Sequence, residues 1–395
     1  MNVPFLDLRS MHEEVRVEIE ARWRDVVDRS AFVGGEAVAD FERAFAKYCG
    51  VAHAVGVGSG TDALRIALQA VGVRPGDIVV TVPHTFIATV EAITQVGARP
   101  AFVDIDPLYC TMDPAALRRY LEHDCDTRNR VPVDRHHDRP VTAVVPVDLY
   151  GQPADWEVLL GLAHHFGLKV VEDACQAHGA QYAGRACGTF GDASAFSFYP
   201  GKNLGAMGEA GAVTTNSETV AARCRVLRDH GQRERYLHVT SEGGNARLDA
   251  LQAVVLSAKL KRLDAWNDAR RRVATMYDAQ LESDEVVRPV QRREARHVYH
   301  LYVVQVSDRD DVRRKLDAAG IATGLHYPVP LHLQEAYAGL GHRPGAFPVS
   351  EQVASRGLSL PMYPHMTEAH VGHVTATLRR AIAPTAAVVA PAGRE

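Results

Sequence analysis

Between residues 54 and 172, short β-like apolar runs alternate with helical patterns, and few folds accommodate that rhythm. Residues 54–57 form such a run, followed by the turn Gly58-Ser59-Gly60-Thr61 and a helical stretch from Asp62. The runs at 78–82, 101–104, 141–147 and 168–172 repeat the strand signal. Helical patterns follow, one reaching about Gln95, one opening at Asp113-Pro114 and one over 156–166. Strand–helix alternation demands crossover connections. It therefore predicts a parallel, doubly wound α/β sheet with helices on both faces. Ligands of such sheets sit at the carboxyl ends of the strands. Gly60, Phe86, Asp173 and Lys202 all fall just after a strand-like run, so the topology would gather them on one rim.

The stretch 191–215, GDASAFSFYPGKNLGAMGEAGAVTT, carries Lys202 in a loop of small residues between two β-like runs. Taken alone, a loop lysine is solvated. Asp173 and Gln176 change the weighing, because an amine to hold an aldehyde cofactor and a carboxylate to hold its pyridinium nitrogen are what pyridoxal phosphate chemistry requires. Gln176 is close enough in sequence to reach the ring hydroxyl, and Phe86 offers a face for stacking. Gly60, Thr61 and Ser197 offer backbone and hydroxyl donors to a phosphate, since a helix N-terminus after a glycine turn is an anion site. Each residue has a plainer role open to it. Asp173 could end a strand, Phe86 could fill the core, Ser197 could be an ordinary strand residue, and Ser59 or Thr61 could simply cap the helix. The joint occurrence in this order favours the cofactor reading. A lysine with a lowered pKa, as burial beside a cationic ring would give, could then move a proton.

The remaining chain reads as follows. Residues 11–29 form one amphipathic helix, residues 30–36 a loop, and Phe41, Phe45 and Tyr48 line a second helix. Residues 122–140 are polar and periodless, a surface loop whose His136-His137 pair is more simply solvated than metal-binding. A helix covers 217–229, and one long helical pattern runs from Leu248 to about Leu281, linking two domains. A β-like run at 299–306, helices near 309–319 and 367–382, and a β-like turn region at 321–328 suit a smaller α+β domain. The expected division is a large domain over 1–250, a linking helix and small domain over 251–384, and a flexible tail over 385–395.

A net charge of −4 over 395 residues gives no reason to expect binding to nucleic acid or anionic membranes. No apolar stretch reaches membrane-spanning length, and the six cysteines show no metal-binding spacing. The expectation is a soluble cytoplasmic protein with free thiols and no metal.

The motifs SGTDAL (59–64), PHTFIAT (83–89), LYGQPAD (149–155), VEDACQAHGA (171–180), FSFYPGKNLGAMGEAGAV (196–213), GGNARLDALQA (243–253) and HYPVPLH (326–332) cover nearly the whole chain. Together they resemble the sugar aminotransferases of the DegT/DnrJ/EryC1/StrS family. The resemblance implies the aspartate aminotransferase-like fold type I, with a mostly parallel seven-stranded sheet and a smaller C-terminal α+β domain. It implies pyridoxal 5'-phosphate held by Lys202, with Asp173 on the ring nitrogen, Gln176 on the ring oxygen and Phe86 on the ring face. Gly60, Thr61 and Ser197 would hold the phosphate. Asn245 would reach the phosphate of a neighbouring subunit, making the active unit a homodimer with shared sites. Arg247, His326 and Tyr327 would lie near the sugar. RDHGQRERY (228–236), GGNARLD and HYPVPLH look most like members that aminate C3 of a 3-keto nucleotide sugar with L-glutamate, which leaves as 2-oxoglutarate. C4 amination, a keto-cyclitol substrate, and a non-catalytic regulator on the same fold are the alternatives. A dehydratase branch carries histidine where Lys202 stands, so the lysine points to transamination. The family histidine before LYG is replaced by Asp148.

Overall fold

Seven strands build the main sheet: β1 (His53–Val57), β2 (Ile78–Thr81), β3 (Arg99–Phe102), β4 (Arg139–Val144), β5 (Lys169–Asp173), β6 (Ala193–Ser197) and β7 (Gly211–Thr215). Their spatial order is β1-β7-β6-β5-β4-β2-β3. Every neighbouring pair is parallel except those made by β7, which runs against both β1 and β6. The carboxyl ends of the other six strands therefore share one rim with the start of β7. The structure, a computed structural model, describes residues 1–128 and 131–382. The expected tail over 385–395 lies outside them.

Consecutive strand residues divide between two apolar layers. Val80, Val144, Val170 and Ala212 face a layer closed by Phe41, Phe45, Trp156, Leu159, Ala253 and Leu256. Their neighbours Val79, Ala143, Val171 and Val213 face a second layer closed by Leu64, Leu68, Ile93, Ala221 and Leu227. Alternation of side chains along a strand produces this split, and burial on both faces explains why the strands read as continuous apolar runs.

Three expectations are corrected. Residues 122–140 are not a surface loop. Cys125–Arg128 and Val131–Asp134 pair antiparallel, and the second strand adds to the start of β4 through Val133↔Pro140 and Asp134↔Arg139. Asp134 organises this hairpin. It accepts from Tyr120 Oη at 2.8 Å, from the backbone N–H groups of His136 and His137 at 3.0 and 2.8 Å, and it pairs with His137 Nδ1 at 2.7 Å. The 248–281 pattern is two helices, Ala250–Leu260 and Leu263–Gln280, with a turn closed by the Arg262 N–H on the Lys259 carbonyl at 2.9 Å. The 11–29 pattern likewise divides, into Leu8–Glu13 and Arg16–Asp28. Neither break contains proline or glycine, so local propensity carried no signal of them.

Beyond Gln280, Val286–Val287, Tyr302–Val306 and Gly357–Leu360 form an antiparallel sheet with Tyr302–Val306 in the middle. Tyr277, Val304, Leu316, Ile321, Leu358 and Leu378 cluster on it. The N-terminus joins this group: Val3 is fully buried there and pairs with Ile321 in parallel. Among the described residues no helix is long and apolar enough to cross a membrane, and all six cysteines are unpaired.

Candidate functional site

The rim is assembled by three strand ends lying side by side. Gly211 at the start of β7 is in register with both Val57 at the end of β1 and Ser197 at the end of β6. A Cβ on Gly211 would stand 2.3 Å from the Ser59 carbonyl oxygen, so only glycine lets the three segments close up. The helix Gly60–Val71 starts there. Ser59 is its cap: Ser59 Oγ accepts from the Asp62 N–H at 3.0 Å, and the Ser59 carbonyl accepts from the Ala63 N–H at 3.0 Å. The N–H groups of Gly60 and Thr61 are left over and point out of the helix start. Gly60 is pressed against Ser197, where an added Cβ would lie 2.4 Å from Ser197 Cβ. Two free N–H groups, a helix N-terminus and the Ser197 hydroxyl thus form one anion cradle.

Next to the cradle, the tight loop after β6 carries Lys202. The Lys202 N–H donates to the Tyr199 carbonyl at 2.9 Å, and Lys259 Nζ donates to the Gly205 carbonyl at 2.6 Å. Burial lowers the pKa of the Lys202 ammonium, while Cys175 and the negative charge of Asp173 pull the other way. Asp173, the last residue of β5, pairs with β6 opposite Ala195. Its carboxylate accepts from Thr89 Oγ1 at 2.8 Å and from the Cys175 N–H at 3.2 Å. Gln176 Oε1 accepts from the Tyr150 N–H at 2.7 Å, which turns its Nε2 toward Tyr327 Oη at 3.1 Å. Phe86 presents a half-exposed ring, 5.5 Å between centroids from Tyr327.

Gly60, Thr61, Phe86, Asp173, Gln176, Ser197 and Lys202 therefore share one site, and His326 and Tyr327 reach it from the C-terminal part of the chain. His326 stacks on Phe5 at 5.7 Å and hydrogen-bonds Ser359 Oγ at 2.8 Å. Burial, and then Lys202, push its pKa down to about 4. Asn245 and Arg247 sit elsewhere in the protomer. Their segment runs along the end of β1, with the Gly58 N–H on the Ala246 carbonyl at 2.9 Å and Arg247 pairing with Val57. Asn245 is exposed and Arg247 is salt-bridged to Asp229. Neither bonds to Lys202, Asp173 or Gln176 among the described residues.

Sequence reasoning passed over Thr89, Tyr150 and His84. Tyr150 orients Gln176, and its hydroxyl meets His84 Nε2 at 2.6 Å and donates to the His326 carbonyl. The available signal was their place inside PHTFIAT and LYGQPAD.

The donor set fits a pyridoxal phosphate: a phosphate-sized cradle without Cβ atoms, an amine of lowered pKa, a buried carboxylate, an amide and an open aromatic face. What the site can do is hold an anionic ring compound and move a proton beside it.

The model of the DegT/DnrJ/EryC1/StrS aminotransferase family matches residues 13–379. The chain is 43% identical over 365 residues, 92% of each chain, to a dTDP-3-amino-3,4,6-trideoxy-alpha-D-glucose transaminase of Streptomyces venezuelae. It is 42% identical over 371 residues to a protein of Geobacillus stearothermophilus named a pleiotropic regulatory protein, covering 93% of this chain and 95% of that one. Among solved structures, S. venezuelae DesV in complex with a ketimine intermediate superposes with a TM-score of 0.91 at 41% identity, covering 97% of this chain and 99% of that one. Bacillus subtilis NtdA, solved with bound cofactor PMP, superposes with a TM-score of 0.86 at 29% identity, covering 96% and 85%.

Proposed function

Because the chain belongs to the DegT/DnrJ/EryC1/StrS aminotransferase family, we propose that it transfers an amino group from L-glutamate to C3 of a nucleotide-linked 3-keto sugar, using pyridoxal 5'-phosphate. The observation that carries the chemistry is Lys202 of lowered pKa beside a buried Asp173. The names of similar enzymes support a 3-keto hexose on a nucleoside diphosphate. C4 amination and a keto-cyclitol substrate are the competing outcomes of the substrate test.

When bound, the cofactor supplies an electron sink next to the carbon that gains or loses its proton. The N–H groups of Gly60 and Thr61 and the Ser197 hydroxyl would hold its phosphate. The Asp173 carboxylate would keep the proton on the ring nitrogen. Gln176 Nε2 would donate to the ring oxygen, and Phe86 would cover the ring. Lys202 Nζ would hold the cofactor covalently and, when displaced by an amine, take a proton at the reacting carbon and return it. Its lowered pKa suits that exchange near neutral pH. His326 and Tyr327 would border the sugar.

In this reading Asn245 and Arg247 serve a neighbouring subunit: exposed in the protomer, Asn245 is free to reach a second chain's phosphate, and Arg247 its sugar. The active unit is then a homodimer acting in the cytoplasm. The division into a large unit over 1–250 and a smaller one over 251–384 belongs to the same reading, with the sugar between them.

Purified protein given cofactor should gain a visible absorption band that Lys202→Ala abolishes and that glutamate bleaches. Product analysis over a panel of 3-keto and 4-keto nucleotide sugars identifies the carbon aminated. A regulatory role, as the name of one relative has it, predicts a band that glutamate leaves unchanged.

A further inference from the structure

Asn203, bonded in sequence to Lys202, is fully enclosed and heads a hydrogen-bond chain that the reaction described above does not use. Asn203 Nδ2 donates to Asn267 Oδ1 at 2.8 Å and to the Val298 carbonyl at 3.1 Å. Asn267 Nδ2 donates to the His178 carbonyl at 2.8 Å. Carbonyl oxygens only accept, so these two backbone groups fix which end of each amide is nitrogen. Asn203 Oδ1 is consequently an acceptor. Its partner is His300 Nδ1 at 3.2 Å, and the proton of that contact belongs to the imidazole. The groups that face His300 are cationic or histidine: Lys202, Arg270, His326 and His178. After burial itself, they hold the ring neutral, with its pKa well below the usual histidine value. A neutral ring protonated on Nδ1 carries its lone pair on Nε2, and among the described residues Nε2 has no hydrogen-bond partner.

Arg270 fixes the segment from behind. Its Nη1 donates to the carbonyls of Tyr299, His300 and Met362 at 3.2, 3.3 and 2.8 Å. His300 is thus held on both sides, by its backbone and by Nδ1.

We propose that His300 is a positioning residue for Lys202: as its Nδ1–H tautomer it donates to Asn203 Oδ1, immobilises the residue that follows Lys202, and stays uncharged so that no second cation adjoins the amine. The role assigned to Lys202 in the amino transfer is the premise of this inference. Asn203 orients the lysine backbone, and His300 orients Asn203.

The test uses the full chain in two measurements. In the first, two-bond ¹H–¹⁵N spectra of ¹⁵N-histidine protein are recorded, with His300→Asn identifying the signal. A neutral ring protonated on Nδ1 throughout pH 6–8 is expected. A ring protonated on Nε2, or charged in that range, overturns the proposal. In the second, the pH midpoint for acylation of Lys202 is read by peptide mass spectrometry without added cofactor, together with kcat for amino transfer. His300→Leu removes the donor and should move the midpoint and lower kcat about tenfold, the scale of one buried hydrogen bond. His300→Asn puts an amide N–H in place of Nδ1–H and should restore both. A midpoint equal to wild type in His300→Leu, or no rescue by asparagine, refutes the role. If His300→Leu does not fold, the spectra and the asparagine variant decide. Failure of wild type to form a cofactor band would overturn the transamination reading and leave the spectra and the acylation midpoint still to judge His300.

Discussion

Asp148→Asn, compared with Asp148→Ala, probes the polar cluster beneath the cofactor rim. Asp148, Glu172 and Cys187 are all fully enclosed, with their ligand atoms within 4.8 Å of one another. Glu172 accepts from the Gly188 N–H at 2.8 Å, the Phe190 N–H at 3.1 Å and Ser194 Oγ at 2.6 Å, so its charge is well supported. Asp148 Oδ1 accepts from the Ala154 N–H at 2.7 Å and Trp156 Nε1 at 3.1 Å, but Oδ2 has no donor at all. Burial, and then the charge of Glu172, raise the Asp148 pKa well above the carboxylate range. Two like charges so close in a dry interior do not both form, and the donor count assigns the proton to Asp148 Oδ2. Asparagine reproduces that neutral group, keeping an acceptor where Oδ1 was and a donor where the O–H was. Its cost at pH 7 should stay below about 1 kcal/mol. Alanine orphans two buried donors at about 1–3 kcal/mol each, so about 2–6 kcal/mol is expected. The sign in pH follows from the raised pKa. Above the unfolded-state value of about 3.9 the unfolded chain has lost this proton and the folded chain has kept it. The contribution of the neutral carboxyl is therefore complete below that value and is lost as pH rises through the folded pKa, at about 1.4 kcal/mol per pH unit across the window. Urea unfolding at pH 5, 6, 7 and 8, followed by tryptophan fluorescence, should find Asp148→Asn gaining on wild type by that increment as pH rises. A constant difference, or an asparagine variant as weak as alanine, would refute the proton assignment.

Gly60→Ala forces a Cβ to within 2.4 Å of Ser197 Cβ; overpacking of about 1–3 kcal/mol should lower the thermal midpoint and weaken cofactor binding, measured by equilibrium dialysis. Thr89→Val removes the hydroxyl on Asp173 Oδ2, a hydrogen bond to a charged group worth about 1.5–3 kcal/mol, and cofactor affinity should fall about ten- to a hundredfold. Leu316→Ala empties a fully buried position in the C-terminal apolar cluster and should cost about 2–5 kcal/mol in calorimetry. Lys202→Ala and Asn245→Ala proteins, each inactive, should recover activity when refolded together, because one of the two shared sites then holds both native residues; no recovery would place Asn245 outside the neighbour's site.

The sheet was legible because each of its strands is buried on both faces, which leaves apolar runs such as 78–82 and 141–147 with little competing signal. The rim residues were legible through chemistry, since Asp173 and Lys202 make little sense apart. The hairpin at 125–134 was hidden by its surface. Arg128 pairs with Asp138 at 2.6 Å and Arg135 with Asp126 at 2.8 Å, so its charges serve cross-strand contacts while reading as a polar loop. Tyr150 was hidden for another reason. It acts through its backbone N–H from a left-handed conformation, φ 62°, which no side-chain pattern announces. The His300–Asn203 contact joins residues 97 positions apart, and only tertiary structure brings them together.

The pairing of Val3 with Ile321 sets a timetable for synthesis. The first residues to leave the ribosome wait for almost the last before they can bury, and the large sheet can form long before that. Phe5, stacked on His326, is bound to the same late event. A chain that stops short of residue 321 would therefore keep its beginning loose as well as lose its end, and degradation tags or proteases would find both termini open at once.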